Sequence, residues 1–576
     1  MLPHAFARVI ARRRTWSRLT DLGIFLAALA LFHAVLAIGR TWSGPFTPVA
    51  QISPSPLALP AYAAYSLARI DIAYVLSLGF ALVYGYTAAR SARAERMLLP
   101  LLDILQSIPV LSFLPGVMLA MVALFPHRQV GFELGAILLI FTGQAWNIAF
   151  SFYSSLKAIP REFDEAARVY RFSRWQRFTQ LELPYAAIGL VWNSMMSVAG
   201  GWFFLMACEM FVLGKRDFRL PGLGSYLQTA ADAGDTSAIF WGLAAMIGVI
   251  VLLDQLIWRP VIAWADKFKF EEVEGASAPR SAVLELLRRA GVFASLYRKI
   301  IGPIGERATL AFARRAHRAD AEDKPGAWKI WLGRALGAAL LAGLGYAVVR
   351  ACLALSGLAA KDALEIGRGA GITLLRVNVA LLLGAAWAVP AGVAIGSSPR
   401  LARIAQPLAQ IAASVPATAL FPIVLLVLIR AGGGMGLASI TLMLLGTQWY
   451  ILFNVIAGAM AIPTDLKEVA GIFGFGLWGR WRKLILPGIF PYLVTGLLTA
   501  AGGAWNASIV AEYFHFKGQI RSTSGLGAII SRATDAGEFH VLLAATMVMA
   551  AIVVTINRLV WQRLYRLAET RFKLET

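Results

Sequence analysis

The sequence predicts an all-α polytopic membrane protein of about 12 transmembrane helices, arranged as two parallel six-helix repeats. Three observations carry this fold class. First, 58% of the residues are hydrophobic and only 15% are charged, a balance that does not fit a soluble globular protein. Second, the apolar residues gather in runs of about 20, the length of helix that crosses ~30 Å of hydrocarbon. Third, landmarks of the first half recur in the second at a nearly constant offset, the mark of an internal repeat.

Taken in order, spans are expected at about 21–38, 64–88, 98–125, 132–156, 187–212 and 238–262. A second set is expected at about 331–355, 372–396, 404–430, 436–460, 490–514 and 540–563. Backbone left unsatisfied in lipid is too costly, so these runs must be helices. The first run follows Arg12-Arg13-Arg14 and lacks a clear cleavage site, so it is expected to stay as a helix rather than be removed as a signal peptide. Basic residues cluster in alternate loops. Arg8, Arg12, Arg13, Arg14 and Arg18 precede the first span; Arg90, Arg93 and Arg96 follow the second; Lys157, Arg161, Arg168, Arg171, Arg174 and Arg177 follow the fourth, whereas 39–63 holds only Arg40. This asymmetry puts both termini on the cytoplasmic side. It also accounts for the net charge of +22 without nucleic acid as a partner. Cys208 and Cys352 lie inside apolar runs and form neither a metal pattern nor an expected disulfide.

The segment 266–329 differs from its surroundings. It is charged and mixed in sign, with apolar residues at helical spacing in SAVLELLRRAGVFASLYRKIIGPIGERATLAFARRAHRA, as in a helix lying on a membrane surface. It is expected to be a basic cytoplasmic linker between a first unit, 1–265, and a second, 330–576. The two units match closely. At an offset of 307, Arg69 meets Arg376, Pro100 meets Pro407, Pro109 meets Pro416 and Pro115 meets Pro422. At 303, Glu165 meets Glu468, Pro184 meets Pro487, Trp202 meets Trp505, Glu209 meets Glu512 and Gly222-Leu223-Gly224 meets Gly525-Leu526-Gly527. With an even number of helices in each unit, the copies run parallel, and inverted repeats are excluded.

Between the fourth and fifth spans of each unit lies a polar, basic stretch, 157–185 and 461–488. Ile159-Pro160 and Ile462-Pro463 end the preceding helix, because proline cannot continue it. Asp164, Glu165, Asp465 and Glu468 bring acid to the first turn of a short helix, where the dipole favours it. Ala166, Ala167 and Ala470 are small enough for close approach to another surface. Gly474 falls where a left-handed residue would close the helix, and Arg171 occupies the matching place in the first copy, where positive φ is unfavourable. Leu-Pro then begins the next span. The product is a short, capped helix held outside the membrane, twice.

Glu165-Ala166-Ala167 and Glu468-Val469-Ala470, a glycine or its substitute after them, and then Leu-Pro resemble the EAA loop of importer permeases of the ABC transporter superfamily. Trp202, Glu209 and Gly222 to Gly224, with Trp505, Glu512 and Gly525 to Gly527, look like the nitrate/sulfonate/taurine/bicarbonate branch, whose members include duplicated permeases. The resemblance implies a type I ABC importer-like bundle in a bacterial inner membrane. It implies two coupling helices carrying Glu165, Ala166, Ala167 and Arg171, and Glu468, Val469, Ala470 and Gly474. The implied partners are two copies of an ABC ATPase subunit and a periplasmic or lipid-anchored solute-binding protein. ATP and Mg would then be bound by the ATPase, with no cofactor on this chain and no reaction catalysed by it. Val469 and Arg171 depart from the pattern, so the two docking helices are expected to be unequal.

Polar groups inside spans often line a pathway. Pointing inward, Arg69 and Arg376 would form a paired positive site for an anion; otherwise they snorkel or pack. Glu209 and Glu512 suit a structural or gating hydrogen-bond role. Gly200 and Gly503 suit close helix approach or a narrow passage. Asn506 stands where the first copy has Phe203 and is the expected substrate contact. The sequence has no GxxxxGK[ST] phosphate loop, metal-ligand cluster or catalytic triad among its six histidines,. The alternative reading is a 6+6 secondary transporter. Its Gly- and Arg-rich motif is not matched by residues 89–96, and it gives no reason for the repeated short helix.

Overall fold

The computed structural model describes residues 52–268 and 355–571, apart from a few positions within each, and scattered residues between them. The span expected at 21–38, more than half of 331–355 with Cys352, and most of the linker lie outside the described residues. Within the described residues, eight helices are long and apolar enough to cross a membrane, at 56–90, 129–157, 174–209, 236–265, 360–397, 435–461, 477–511 and 539–568.

The first unit runs α1 (Leu59–Arg90), α2 (Ala92–Ser107), α3 (Leu114–Leu124), α4 (Gln129–Lys157), α5 (Arg161–Val169), α6 (Arg174–Arg177), α7 (Leu183–Glu209), a hairpin of β1 (Val212–Leu213) and β2 (Arg216–Asp217), α8 (Leu223–Ala233), α9 (Thr236–Leu253) and α10 (Arg259–Ala265). The second runs α11 (Ala360–Ser397), α12 (Pro399–Ser414), α13 (Ala417–Arg430), α14 (Met435–Ala461), α15 (Thr464–Ile472), α16 (Leu477–Arg480), α17 (Leu486–Ala511), a hairpin of β3 (Tyr513–Phe516) and β4 (Gln519–Ser522), α18 (Leu526–Ala536), α19 (Phe539–Ile556) and α20 (Gln562–Arg571). The element order is the same in both.

Two expectations are corrected. Segments 98–125 and 404–430 are not single helices. Each breaks at a proline, and the helices at 400–413 and 417–428 meet at 85°. Pro109 and Pro416 lack the N–H a continuing helix needs and push the residue before them into extended backbone; Ile108 has φ −77°, ψ 125° and Val415 φ −76°, ψ 117°. Likewise 187–212 and 490–514 overrun. The helices stop at Glu209 and Ala511, and the chain turns back in antiparallel hairpins.

Wide π-type turns occupy 178–182 and 481–485, just before the two Leu-Pro pairs, and 254–258 and 557–561 near the ends of the last spans. Helices α1, α4 and α7 pack side by side, as do α11, α14 and α17. The units also clasp each other: β3 lies against α8, β1 against α18, and α7 against both α12 and α13.

Candidate functional site

Three regions hold the candidate residues. The first is the pair of short helices. Each opens after an extended proline, Pro160 or Pro463. Each closes in one shape. In the first copy the N–H groups of Tyr170, Arg171 and Phe172 donate to the carbonyls of Ala166, Arg168 and Ala167. In the second, those of Phe473, Gly474 and Phe475 donate to Val469, Gly471 and Ala470. This is the Schellman closure, whose turning residue must be left-handed. Gly474 has φ 62° and Arg171 φ 50°, and Arg171 is the one non-glycine residue with positive φ among the described residues.

Ala167 and Ala470 are buried and their carbonyls accept from the return segments, whereas Glu165, Ala166, Glu468 and Val469 are exposed. The inner alanine of each copy therefore serves the fold of the turn, and only the outer position is open to a partner. Along the outer face run Phe163, Ala166, Val169 and Tyr170, matched by Leu466, Val469, Ile472 and Phe473. Val169 is 78% exposed and Ile472 83%. Two matched apolar stripes on helices this short are exposed well beyond what packing within the chain would leave.

The copies differ in how they are held. In the first, Arg177 pairs with Asp164 on the helix and with Glu182 at 3.0 Å, and Glu182 also pairs with Arg90 at the end of α1. A capping box adds to this: the Ser173 N–H donates to Gln176 Oε1 at 2.9 Å, and the Gln176 N–H to Ser173 Oγ at 3.3 Å,. Lys157 meets Glu95 at 2.7 Å, with the Tyr153 hydroxyl donating to the same carboxylate at 2.6 Å. In the second copy the corresponding positions are Lys467 for Asp164, Ile485 for Glu182, Ser397 for Arg90, Gly476 for Ser173, Ala402 for Glu95 and Met460 for Lys157.

The second region gathers the matched charges. Arg69 is fully buried, 2.5 Å from Glu133 and 2.7 Å from Glu209. Arg376 lies 2.9 Å from Glu512, and its side chain is 12% exposed. Glu209 Oε1 also accepts from Ser66 Oγ (2.7 Å), and Glu209 Oε2 from the Gly224 N–H (2.7 Å). Glu512 accepts likewise from Thr373 Oγ1 (2.8 Å) and the Gly527 N–H (2.9 Å). Each carboxylate thus closes the N-terminus of the next helix, where unpaired N–H groups and the dipole favour an anion. A Cβ at Gly222 or Gly525 would stand 2.3 or 2.1 Å from that carboxylate, so the first glycine of each Gly-Leu-Gly is required by close approach. The expected anion site at Arg69 and Arg376 meets a physical obstacle here, since acids within the chain already answer both cations. Glu133 was not legible from the repeat, because its counterpart is Gly436; an acid opening a span opposite a buried arginine was the available signal.

The third region is a cavity of about 600 Å³ between the units. Gly200, Gly503 and Asn506 line it; Arg69, Arg376, Glu209 and Glu512 do not. The first unit contributes only α7, and the second contributes α12, α13, α14 and α17. Asn506 Nδ2 donates to the Gly502 carbonyl at 3.1 Å, and Asn506 Oδ1 accepts from the Leu111 N–H at 3.5 Å, reaching the broken segment of the other unit. Among the described residues no cluster of three or more His, Cys, Asp or Glu could hold a metal.

Several known permeases share parts of this sequence. The nitrate import permease protein NrtB of Synechococcus elongatus is 30% identical over 166 residues, covering 29% of this chain and 56% of the relative. The taurine transport system permease protein TauC of Escherichia coli is 29% identical over 183 residues, 32% of this chain and 60% of the relative. The putative aliphatic sulfonates transport permease protein SsuC of Bacillus subtilis is 27% identical over 208 residues, 35% of this chain and 70% of the relative. The match to the first of these thus spans little more than half of that relative's length. The family described as binding-protein-dependent transport system inner membrane component matches twice, at residues 80–257 and 384–574, together more than half of the chain. With an all-helical membrane domain present twice and eight apolar helices between them, this multi-pass membrane protein belongs to that family.

Proposed function

We propose that the chain carries both transmembrane domains of an ATP-driven importer, with the two halves of the pathway fused in one polypeptide. The observation that carries this is the pair of short, matched helices with exposed apolar stripes, at 161–169 and 464–472. Two like helices suit two like sockets, so the expected partners are two copies of an ATPase subunit. Phe163, Val169 and Tyr170, and Leu466, Ile472 and Phe473, would enter the sockets, with Glu165 and Glu468 at the rim. ATP and Mg would be held by those subunits; this chain would bind neither and would catalyse no reaction itself. Closure of the ATPase pair would push the two helices together and rock the units between outward- and inward-open states. A solute-binding protein would deliver cargo to the outer face. The basic loops support a bacterial inner membrane location with both termini cytoplasmic. The relatives' names speak of nitrate, taurine and sulfonates, and the cargo proposed here is a small-molecule solute that is an anion.

The test is co-purification with an ABC ATPase subunit co-expressed from the same genome, with single cysteines at Val169 and Ile472. Disulfide cross-links from both positions are expected. An ATPase that binds equally well after Val169→Asp and Ile472→Asp together would overturn the docking assignment.

A further inference from the structure

The cavity between the units restricts what the cargo can be. None of the described side chains lining it carries a charge. Six are aromatic: Trp192, Phe203, Phe204, Trp449, Tyr450 and Phe453. The two arginines that could have answered an anion are bound to Glu133, Glu209 and Glu512 elsewhere. A bare oxyanion such as nitrate or bicarbonate has no apolar body whose burial would offset the loss of its water in a site where no described side chain is a cation,. It would also leave most of a cavity of about 600 Å³ empty, since a cavity in this range suits a multi-ring organic molecule rather than four atoms.

We infer that the cavity takes an organic anion with an aromatic body, its charge spread over one head group. The body would be sandwiched between the Trp and Phe rings, where apolar burial and ring packing supply the binding energy. The head would meet side-chain amides. Asn506 spends one N–H on the Gly502 carbonyl and has a second to offer. Gln406 donates to the Met460 sulfur at 3.4 Å, and a thioether is a weak acceptor that an oxyanion readily replaces. This inference rests on the importer reading for its biological meaning, but the binding it describes does not require the ATPase.

Calorimetry on the full chain in zwitterionic nanodiscs tests it, with empty nanodiscs subtracted. The probes are naphthalene-2-sulfonate, methanesulfonate and nitrate, which separate body from head. Naphthalene-2-sulfonate is expected to bind about a hundredfold more tightly than methanesulfonate, from the apolar area of its rings. Gly446→Phe, which fills the cavity, should weaken it at least about tenfold with helix content unchanged by circular dichroism; Ala457→Phe fills the same space if the first variant does not fold. Binding of methanesulfonate or nitrate within about threefold of the arene, no arene binding at millimolar concentration, or unchanged binding in a folded cavity-filled variant would each overturn the inference. ATPase co-purification is read separately, so failure here leaves the importer reading intact.

Discussion

The two short helices solve one problem with opposite means. The second copy has the favourable residue at its turn, Gly474, and no ion pair behind it among the described residues. The first has an arginine in the left-handed region, which costs roughly 1–2 kcal/mol for an L-residue. Yet it is held by Arg90, Glu182, Arg177 and Asp164 and by a capping box, and Glu95 with Lys157 joins α2 to the end of α4 just before it. Strained backbone persists where its surroundings over-determine it, and here the surroundings are ionic. The two helices are near-equal in shape but unequal in attachment: one is tied through Arg177 and Glu182 to Arg90 of α1, and the other by Lys467 at the Ala459 carbonyl and Lys483 over the Phe475 ring.

The largest effect that would break this comparison lies at the outer charges. Glu512→Ala leaves Arg376 without a carboxylate among the described residues and should cost about 3–5 kcal/mol. Glu209→Ala leaves Arg69 still paired with Glu133 and should cost clearly less. Thermal unfolding in nanodiscs measures both, and equal losses would mean that Glu133 gives the first unit no reserve. Next comes Glu182→Leu, which separates α1 from the short helix and is expected to cost about 1–3 kcal/mol. Cross-linking from Val169 should fall while that from Ile472 holds. Arg171→Gly should stabilise by about 1 kcal/mol and Gly474→Arg should destabilise by a similar amount, read as opposite shifts in melting temperature.

The smallest effect is in pH. Lys157 and Tyr153, hydrogen-bonded to Glu95, hold its carboxyl below the ordinary value. A depressed carboxyl contributes above its unfolded pKa and loses that contribution as the pH falls through its folded value. Acidification below about pH 4 should therefore loosen the 157–185 stretch before 461–488, which limited proteolysis by an acid protease would report; simultaneous cleavage would count against it.

Much of this was legible in the sequence because lipid leaves few options. Runs of about 20 apolar residues had to be helices, and repeated landmarks fixed the pairing of Glu165 with Glu468 and of Arg171 with Gly474. The broken segments were harder to see: Pro109 and Pro416 lie within runs apolar enough to suggest one span, and hydropathy does not register direction. The partners of Arg69 were invisible for another reason. Comparing copies finds what the copies share, and Glu133 faces Gly436. The aromatic cavity escaped as well, since Trp192 and Trp449 look like ordinary lipid-facing residues until the units are brought together.

The four wide turns also come in matched pairs. Those at 178–182 and 481–485, and those at 254–258 and 557–561, are separated by the same 303 residues. One added residue per turn rotates everything beyond it by about 100°, so a helix cannot acquire or lose such a turn without re-aiming its whole apolar face. Pro260 follows the third in the first unit, but Arg563 stands at its counterpart, and the turn survives there without proline. The wide turns are thus common to both units, whereas the ion pairs around the first short helix have no counterpart among the described residues of the second.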